Sequence, residues 1–299
     1  MVDASNIVKA RTFRALHEQP LLVLPNAWDA ASASLIARAG AAAVATTSGG
    51  MAWSLGVPDG EALTRQQMMA AVHRICAAVD VPVTADIEGG YGSTPEDVAA
   101  TVRATIEAGA VGINIEDSHA RHGTLRPPGE QARRLQAARH AAADVGLPQL
   151  MINARTDVYL LNAIAPARRF DEVMIRASAY AEAGADCLFV PGLSDLATLS
   201  ALTAASPLPV NAMAGPTGPT IGELATAGVR RVSVGTALAQ AAYGLVEQAT
   251  RELLESGTYG ALDEAVAYAD LNAMSFGEDQ RYGFLPETEP LRVCVERPD

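Results

Sequence analysis

The sequence predicts a (β/α)8 barrel with a C-terminal helical extension. About eight units of short apolar strand, polar turn and amphipathic helix follow one another, which is typical of parallel strands joined by helical crossovers. Polar residues gather after the strands rather than before them, and several helices end in glycine. A doubly wound open sheet is the alternative, but no G-x-G-x-x-G motif follows the first strand.

Each strand is predicted from a short apolar run bounded by turn residues. The predicted strands are Leu21–Pro25, Ala42–Thr46, Val81–Asp86, Val111–Glu116, Gln149–Asn153, Asp186–Val190, Leu208–Ala212 and Val229–Val234. The alanine-rich stretches that follow them have apolar residues at helical spacing. The predicted helices are Ala30–Ala39, Arg65–Ala78, Pro95–Ala108, Glu130–Val145, Arg168–Ala183, Leu196–Ala204, Ile221–Ala227 and Ala237–Glu255. Residues 1–299 are interpreted as one barrel domain, with an N-terminal helix over about residues 1–18 and an extension over about residues 260–299.

The composition argues against several classes of protein. The chain has 299 residues, is 49% hydrophobic and carries a net charge of -12, which argues against nucleic acid and anionic membranes as partners. The sequence shows neither a membrane-length apolar run nor the layout of a signal peptide. Cys76, Cys187 and Cys294 lie far apart, which favours reduced thiols. We therefore expect a cytoplasmic protein.

The segment 83–92, Val-Thr-Ala-Asp-Ile-Glu-Gly-Gly-Tyr-Gly, is the most informative in the chain. Asp86 and Glu88 are two residues apart in a predicted strand, so both side chains should point to the same side. Carboxylates at the end of a buried strand are costly unless a cation neutralises them. A hard divalent cation such as Mg2+, held by one or two carboxylates, waters and substrate oxygens, fits this position. Helix capping or pairing with arginine is the alternative role for these acids.

Polar residues also follow the other strands at the ends where barrel enzymes carry their active sites. They are Asn26, Trp28, Asp29, Thr46, Thr47, Ser48, Asn114, Glu116, Asp117, Asn153, Arg155, Asp157 and Asn211. The opposite ends of the strands carry Pro82, Ala110 and Pro209. This asymmetry predicts an active site at the C-terminal ends of the strands.

The chemistry of these residues favours bond breaking next to a 2-oxo acid. Asp86, Glu88 and Glu116 are the predicted metal ligands, partly through water, with Mg2+ as the expected ion and Mn2+ as the alternative. The planar guanidinium of Arg155 suits a substrate carboxylate or phosphonate. The turn at residues 47–50 offers hydroxyls and backbone N–H groups to a second anionic group. Together they would stabilise the enolate that forms as the bond breaks.

Six segments resemble the isocitrate lyase/phosphoenolpyruvate mutase superfamily, in particular its carboxyphosphonoenolpyruvate phosphonomutase-like and 2-methylisocitrate lyase-like members. They are Leu-Pro-Asn-Ala-Trp-Asp-Ala at 24–30, Thr-Ser-Gly-Gly at 47–50, Leu-Gly-Val-Pro-Asp at 55–59, Ala-Asp-Ile-Glu-Gly-Gly-Tyr-Gly at 85–92, Asn-Ile-Glu-Asp at 114–117 and Asn-Ala-Arg-Thr-Asp at 153–157. The resemblance implies a Mg2+-dependent barrel that forms a homo-oligomer, a dimer of helix-swapped dimers. It also implies small 2-oxo or hydroxy polycarboxylates, or phosphonates, as substrates.

The resemblance implies roles for individual residues. Asp86 matches the principal metal-site aspartate, Glu88 stands where the family often has another aspartate, and Glu116 matches the next acid. The predicted catalytic residues are Arg155, Glu116, Asp59, His119 and His122. The predicted substrate-binding residues are Trp28, Thr47, Ser48, Gly49, Asp86, Arg155 and Asn211. Packing at the mouth of the barrel is the alternative role for Trp28.

The loop after Glu116 departs from the lyases of the superfamily. Those lyases carry a Lys-Lys/Arg-Cys-Gly-His loop whose thiol protonates the leaving carbanion, whereas residues 117–130 contain neither cysteine nor lysine. Phe-Val-Pro-Gly at 189–192 replaces the family's strand-six glutamate, and the usual lysine and asparagine of the phosphonate mutases are absent. Ordinary isocitrate or methylisocitrate cleavage is therefore not expected.

Residues 117–129 are the predicted lid, since they follow a site strand and contain glycine and proline. His119 and His122 are candidate acids or bases, with a plain surface position as the alternative. A hydroxyl of Ser118 or Thr124, or a metal-bound water, is the competing proton source. Arg230 and Arg231 begin the last strand, at the end away from the site, and are interpreted as structural.

The sequence therefore predicts a Mg2+-dependent enzyme that breaks a C–C or P–C bond beside a 2-oxo acid and releases a small 2-oxo acid. A lyase is expected, with hydrolase, decarboxylase and mutase reactions left open. One alternative is a metal-dependent oxo-acid binding protein with weakened catalysis. The other is a phosphonomutase or a phosphonopyruvate hydrolase.

Overall fold

Parallel strands wrap into a nearly closed barrel in the computed structural model, which describes residues 3–119, 123–161 and 163–274. The strands in these ranges are β1 (Leu22–Leu24), β2 (Asn26–Ala27), β3 (Val44–Thr46), β4 (Val83–Asp86), β5 (Gly112–Glu116), β6 (Ser118–His119), β7 (Thr124–Leu125), β8 (Met151–Arg155), β9 (Cys187–Phe189), β10 (Val210–Met213) and β11 (Arg231–Ser233). Nine of them form one sheet in the order β1-β11-β10-β9-β8-β5-β4-β3-β2, and β6 and β7 form a separate antiparallel pair. The predicted barrel is confirmed.

The barrel has eight strand positions because β1 and β2 are two halves of one strand on either side of Pro25. β1 pairs with the last strand, β11, and β2 pairs with β3. The side chain of Asn26 joins the two edges at this break. Its Oδ1 accepts from the backbone N–H groups of Val234 and Gly235 at 2.9 and 3.0 Å, and its Nδ2 donates to the carbonyl of Thr46 at 2.9 Å.

An outer helix follows every strand position, as predicted. The helices are α1 (Ala4–His17), α2 (Ala30–Arg38), α3 (Ser48–Ser54), α4 (Arg65–Ala77), α5 (Pro95–Glu107), α6 (Pro128–Asp144), α7 (Arg169–Glu182), α8 (Leu196–Ala205), α9 (Ile221–Thr226), α10 (Ala237–Ser256) and α11 (Tyr268–Asn272). Capping boxes begin α2, α4, α5 and α9, where a Thr or Asp side chain accepts from the third residue of the helix. None of the helices in the described part of the chain is long and apolar enough to span a membrane.

Helix α1 closes the N-terminal end of the barrel. Phe13 on α1 is fully buried, and a Cβ on Gly112 would lie 2.7 Å from its ring, so this close approach requires glycine. The ring of His17 packs edge-on against Phe13 with 4.6 Å between the ring centroids. The predicted N-terminal helix is therefore present, and it forms the floor of the barrel.

Two local predictions are wrong. Residues 47–50, predicted as a turn, lead into the short helix α3, because Thr47 stays extended and Ser48 begins a helical turn. The strand that carries Asp86 ends at that residue, so Glu88 lies outside it. The C-terminal extension contains α11, and residues 275–299, including Cys294, lie outside the described residues.

Candidate active site

A cavity of about 190 Å³ lies inside the barrel and opens at the C-terminal ends of the strands. Its lining is mainly polar on the wall formed by β2, β3, β4, β5 and β8. The polar lining residues are Asn26, Thr46, Thr47, Ser48, Asp59, Thr84, Asp86, Asn114, Asn153, Arg155, Arg231, Ser233 and Thr236. Pockets for drug-sized ligands usually measure about 300–1,000 Å³. The volume of this cavity therefore suits a small acid rather than a nucleotide or a large cofactor.

Asp86 presents its carboxylate on the cavity wall and is held from three directions. Its Oδ1 accepts from Asn114 Nδ2 at 3.0 Å and from the backbone N–H of Glu88 at 3.3 Å. Its Oδ2 accepts from the backbone N–H of Ser48 at 3.3 Å. Asn153 on the next strand donates to Asn114 Oδ1 at 3.0 Å and so extends the row of hydrogen bonds across β4, β5 and β8. This row fixes the orientation of the Asp86 carboxylate.

Glu88 does not share the cavity wall with Asp86. Its backbone has φ of 50°, in the left-handed region, which turns its side chain out of the strand alternation. Its Oε1 accepts from the hydroxyl of Tyr91 at 2.7 Å, and its Oε2 accepts from the backbone N–H of Glu61. Burial raises the pKa of Glu88 to about 7 despite these donors. The predicted common face for Asp86 and Glu88 is therefore not formed.

Glu61 and Tyr91, the partners of Glu88, are strained in the same way. Both have positive φ, 56° and 54°, and the N–H of Tyr91 donates to Glu61 Oε1 at 2.8 Å. Left-handed backbone in a residue other than glycine costs of the order of 1 kcal/mol or more, so three together need mutual support. Their hydrogen bonds give that support and join the loop before α4 to the loop after β4.

Arg155 is held between two carboxylates. Its Nη1 lies 2.9 Å from Glu116 Oε2, and its Nε lies 2.6 Å from Asp157 Oδ1. Its Nη2 donates to Asp157 Oδ2 at 3.1 Å. The hydroxyl of Ser118 lies 2.7 Å from both Glu116 Oε1 and Asp157 Oδ2. Burial raises the pKa of Glu116 above its usual range, while the charge of Arg155 opposes the increase.

These contacts leave Arg155 partly engaged. Three of its five N–H groups face Glu116 or Asp157, and the other two have no acceptor among residues 3–119, 123–161 and 163–274. Burial alone would lower the pKa of Arg155, but Glu116 and Asp157 raise it above its usual range. Arg155 therefore keeps its charge at the cavity wall.

A buried network of hydrogen bonds around Asp117 supports Asp157, one of the two acids that contact Arg155. Asp117 is fully buried, and its Oδ2 accepts from Arg176 Nη1 and from the hydroxyl of Tyr180, both at 2.8 Å. Its Oδ1 accepts from the backbone N–H of Asp157 at 3.0 Å. The N–H of Arg126 donates to the carbonyl of Asp117 at 2.7 Å. The network therefore holds Asp157 in place and anchors both ends of the predicted lid.

Asp59 lines the cavity, and Gly49 lies next to Asp59 without lining the cavity itself. Burial and the charge of Asp86 raise the pKa of Asp59, while a hydrogen bond with Ser48 opposes the increase. A Cβ on Gly49 would lie 2.9 Å from Thr236 Cγ2 and 3.1 Å from Asp59 Oδ2. The close approach of α3 to Thr236 therefore favours glycine at this position, and the carboxylate of Asp59 leaves little further room. Thr47 and Ser48 line the cavity as well.

Three other predicted site residues that the structure describes do not line the cavity. Trp28 is half-buried and packs against the core, and its alternative packing role agrees with this position. Asn211 is fully buried and donates to Ser233 Oγ at 3.3 Å. His119 is half-buried in the β6–β7 hairpin, opposite Thr124. His122 lies outside the described residues.

Arg231 lies where the sequence does not indicate a site residue. Its neighbour Arg230 is exposed on the outside of the barrel, but Arg231 lines the cavity together with Ser233. The alternation of β11 explains the difference, because residues two apart face the same side and Arg231, Ser233 and Gly235 all line the cavity. Arg231 therefore begins its strand at the N-terminal end, as expected, but its side chain also lines the cavity, and the period-two pattern of 231, 233 and 235 is the signal that indicates this.

The cavity wall fits a divalent cation held largely through water. Asp86 is the carboxylate on that wall, and it acts electrostatically on Asp59, Glu88 and Glu116. Within residues 3–119, 123–161 and 163–274, no three His, Cys, Asp or Glu side chains are grouped closely enough to enclose a metal ion. Mg2+ commonly takes only one or two carboxylates and completes its shell with waters and substrate oxygens. The metal-ligand roles of Asp86, Glu88 and Glu116 remain predictions.

Comparison with known proteins gives consistent matches. The family described as phosphoenolpyruvate phosphomutase matches residues 13–254. A solved structure from Burkholderia cenocepacia J2315, provisionally named a phosphonomutase, is 48% identical with a TM-score of 0.78 and covers 81% of this chain and 99% of that chain. The uncharacterized protein MT2054 of Mycobacterium tuberculosis is 37% identical over 88% of this chain and 95% of its own length. The 2-methylisocitrate lyase of Escherichia coli K12 is 33% identical over 67% of this chain and 68% of its own length.

Proposed function

The chain belongs to the phosphoenolpyruvate phosphomutase family, within the PEP mutase/isocitrate lyase superfamily, and from that membership we propose that it is a Mg2+-dependent enzyme that cleaves a C–C bond next to a 2-oxo acid. The products would include a small 2-oxo acid. The observation that carries the proposal is that Asp86 and Arg155 both line one cavity. A wall with a fixed carboxylate and a fixed guanidinium suits an anionic substrate that is bound together with a cation.

The residues of the chain divide between binding and positioning in this proposal. Asp86 would hold the cation, with Glu88 and Glu116 contributing through water. The two remaining N–H groups of Arg155 would bind a carboxylate of the substrate, while Glu116 and Asp157 hold the guanidinium in place. Thr47 and Ser48 would donate to the other end of the oxo acid. A bound Mg2+ would supply positive charge to the oxo and carboxylate oxygens, where negative charge develops as the bond breaks.

The proton for the leaving carbon would come from the rim of the cavity. Asp59 lies there, and burial raises the pKa of its carboxyl above the usual value. His119 in β6 remains a proposed alternative, as do His122, which lies outside the described residues, and the hydroxyls of Ser118 and Thr124. The hydroxyl of Ser118 already lies between two carboxylates, which favours Asp59 over Ser118 as the donor.

Release of a 2-oxo acid tests the proposal. The products would be detected with lactate or malate dehydrogenase, with and without Mg2+, using methylisocitrate, isocitrate, dimethylmalate, oxaloacetate and phosphonopyruvate as substrates. We expect Mg2+-dependent turnover of at least one of the carbon acids. Asp86→Asn should abolish it, and Asp144→Asn, an exposed aspartate at the end of α6, should not affect it. Turnover that survives Asp86→Asn would refute the assignment of this site.

A phosphonomutase or phosphonopyruvate hydrolase is the second candidate. It is favoured by the 48% identity with the protein provisionally named a phosphonomutase. Release of pyruvate from phosphonopyruvate alone would identify a phosphonopyruvate hydrolase. A phosphonomutase would instead form phosphoenolpyruvate, which is detected only when pyruvate kinase is added to the lactate dehydrogenase assay. Binding of oxalate with Mg2+, without turnover of any substrate, would instead favour an oxo-acid binding protein.

We also propose that the protein forms a homo-oligomer. Helix α10 leaves several large apolar side chains exposed, among them Tyr243, Leu245, Val246 and Leu254. Contiguous exposed apolar groups on a helix are typical of an interface. Light scattering after size-exclusion chromatography should give a mass of at least twice 31.0 kDa.

A further inference from the structure

Arg231 is a buried cation without an acidic partner among the described residues. It is 2% exposed, and no carboxylate in residues 3–119, 123–161 and 163–274 forms a salt bridge with it. Its Nη1 lies 3.4 Å from His17 Nε2, and its guanidinium lies 5.9 Å from the centroid of the Phe13 ring. Its Nε has no hydrogen-bond partner in these same ranges. Buried charges are usually paired, because an unpaired one costs several kcal/mol.

Other buried polar groups near Arg231 are also incomplete. Thr84 Oγ1 and Asn153 Oδ1 line the same cavity and have no hydrogen-bond partner within the part of the chain that the structure describes. Ser233 Oγ accepts from Asn211 Nδ2, which leaves the hydroxyl hydrogen of Ser233 to donate elsewhere. Buried polar atoms in folded proteins are nearly always satisfied by protein, water or ligand. The inner part of the cavity is therefore built to receive a polar molecule.

The charges on the cavity wall identify that molecule as an anion. Arg155 at the C-terminal ends of the strands already faces two carboxylates, Glu116 and Asp157. Arg231, at the N-terminal end of β11, pairs with none of the described acids. One continuous cavity is lined by Asp86 at one end and by Arg231 at the other. A molecule that fills this cavity would contact Asp86 near the C-terminal ends of the strands and Arg231 at the N-terminal end of β11.

We propose that Arg231, helped by Ser233, binds the far carboxylate of a small dicarboxylate whose oxo-acid end lies against Asp86 and Arg155. The inference rests on the proposed function and extends it, because it assigns a residue of this chain to the second anionic group of the substrate. An inorganic anion such as chloride would bind Arg231 through the same charge attraction. The experiment therefore has to distinguish a substrate carboxylate from an inorganic anion.

Binding of two matched 2-oxo acids tests the proposal. Isothermal titration in the presence of Mg2+ would compare pyruvate, which has one carboxylate, with 3,3-difluorooxaloacetate, which has a second one and no proton on C3. We expect the wild-type protein to bind the dicarboxylate at least about tenfold more tightly, the change that one charge-assisted hydrogen bond gives. Arg231→Met should reduce this preference to about twofold or less, with the affinity for pyruvate unchanged.

Two further variants keep the test decisive. Arg230→Met removes the neighbouring arginine on the outside of the barrel and should leave both affinities as in the wild type. Arg231→Met should retain the wild-type Tm or raise it, because it replaces an unpaired buried charge by an apolar side chain. If Arg231→Met does not fold, Arg231→Lys keeps a charge but loses the planar fork, and its preference should fall at least threefold.

The remaining outcomes would overturn the inference. An unchanged preference in the variants at position 231 would show that Arg231 does not contact the substrate. A wild-type Tm that rises with chloride but not with acetate, without any preference for the dicarboxylate, would assign the site to an inorganic anion only. Failure of the wild-type protein to bind either acid with Mg2+ would instead overturn the proposed function, and this inference with it.

Discussion

Replacement of Asp117 by asparagine should destabilise the protein strongly although it removes no atom from the cavity wall. Asp117 is fully buried, and Arg176, its partner, is 3% exposed. Asp117→Asn keeps the shape of the side chain but removes its charge and turns one acceptor oxygen into a donor. Removing one partner of a buried ion pair costs about 3–5 kcal/mol, because the other charge stays buried.

A second acid, Glu172, contacts the same arginine and reduces the expected loss of stability. Glu172 Oε1 lies 2.9 Å from Nη2 of Arg176 and would keep part of its charge compensated. Against this, the hydroxyl of Tyr180 also loses its acceptor. We therefore expect Asp117→Asn to lower the free energy of unfolding by about 3 kcal/mol.

Urea unfolding followed by circular dichroism measures this change. Glu172→Gln is the matched control, since it removes the outer acid of the same arginine, and the side chain of Glu172 is 23% exposed. The control should cost about 1 kcal/mol or less. A loss below about 1 kcal/mol for Asp117→Asn, or equal losses for the two variants, would refute the argument that the buried acid stabilises the arginine.

Three further predictions concern pH, packing and metal. Burial and the charge of Arg231 lower the pKa of His17 to about 4. Below pH 6.5 the folded protein therefore binds fewer protons than the unfolded chain, and its stability falls on acidification. Between pH 7.5 and 5 we expect the free energy of unfolding in urea to fall by about 2 kcal/mol, a loss that should be absent in His17→Gln. Gly49→Ala should cost about 1–3 kcal/mol by overpacking, whereas Gly129→Ala, whose Cβ would meet no described atom within 4 Å, should not destabilise. In the presence of Mg2+, oxalate at a hundred times its own Kd should raise the Tm of the protein by roughly 5 °C. EDTA should remove this increase. Asp86→Asn should lose it, and Asp144→Asn should keep it.

Local sequence patterns predict most of this fold. All eight strand positions and the helices after them are found where apolar runs and glycine stops indicate them, since each unit depends on its own short segment. The period-two rule also pairs Asn153 with Arg155 correctly, because β8 continues through both residues. It fails for Asp86 and Glu88, because β4 ends between them and the backbone of Glu88 turns left-handed. That turn depends on Tyr91 and Glu61, which sequence spacing does not connect to Glu88.

Sequence patterns predict the site less completely than the fold. Asp86 and Arg155 are predicted from their position after strands, and the structure brings both to one cavity. The contribution of Asp157 to holding Arg155 is not predicted, because it comes from contacts with Arg155 and Ser118 rather than from a motif. Arg231 is not predicted either, because a residue at the start of a strand is expected to lie away from the site. Its side chain nevertheless faces into the barrel, so it lines the cavity while its guanidinium lies against Phe13 at the floor.

The break at Pro25 has a consequence for how the protein is made. The edge formed by β1 and β2 can be sealed only when β11 arrives, and the hydrogen bonds of Asn26 that seal it join residues 208 and 209 positions apart. Loop closure over such a distance is slow compared with the pairing of neighbouring strands. During synthesis on the ribosome, the chain must therefore carry an unsealed sheet until its last strand has emerged. Asn26 therefore acts late in folding, so its replacement should mainly speed unfolding and leave the refolding rate nearly unchanged, as stopped-flow kinetics would measure.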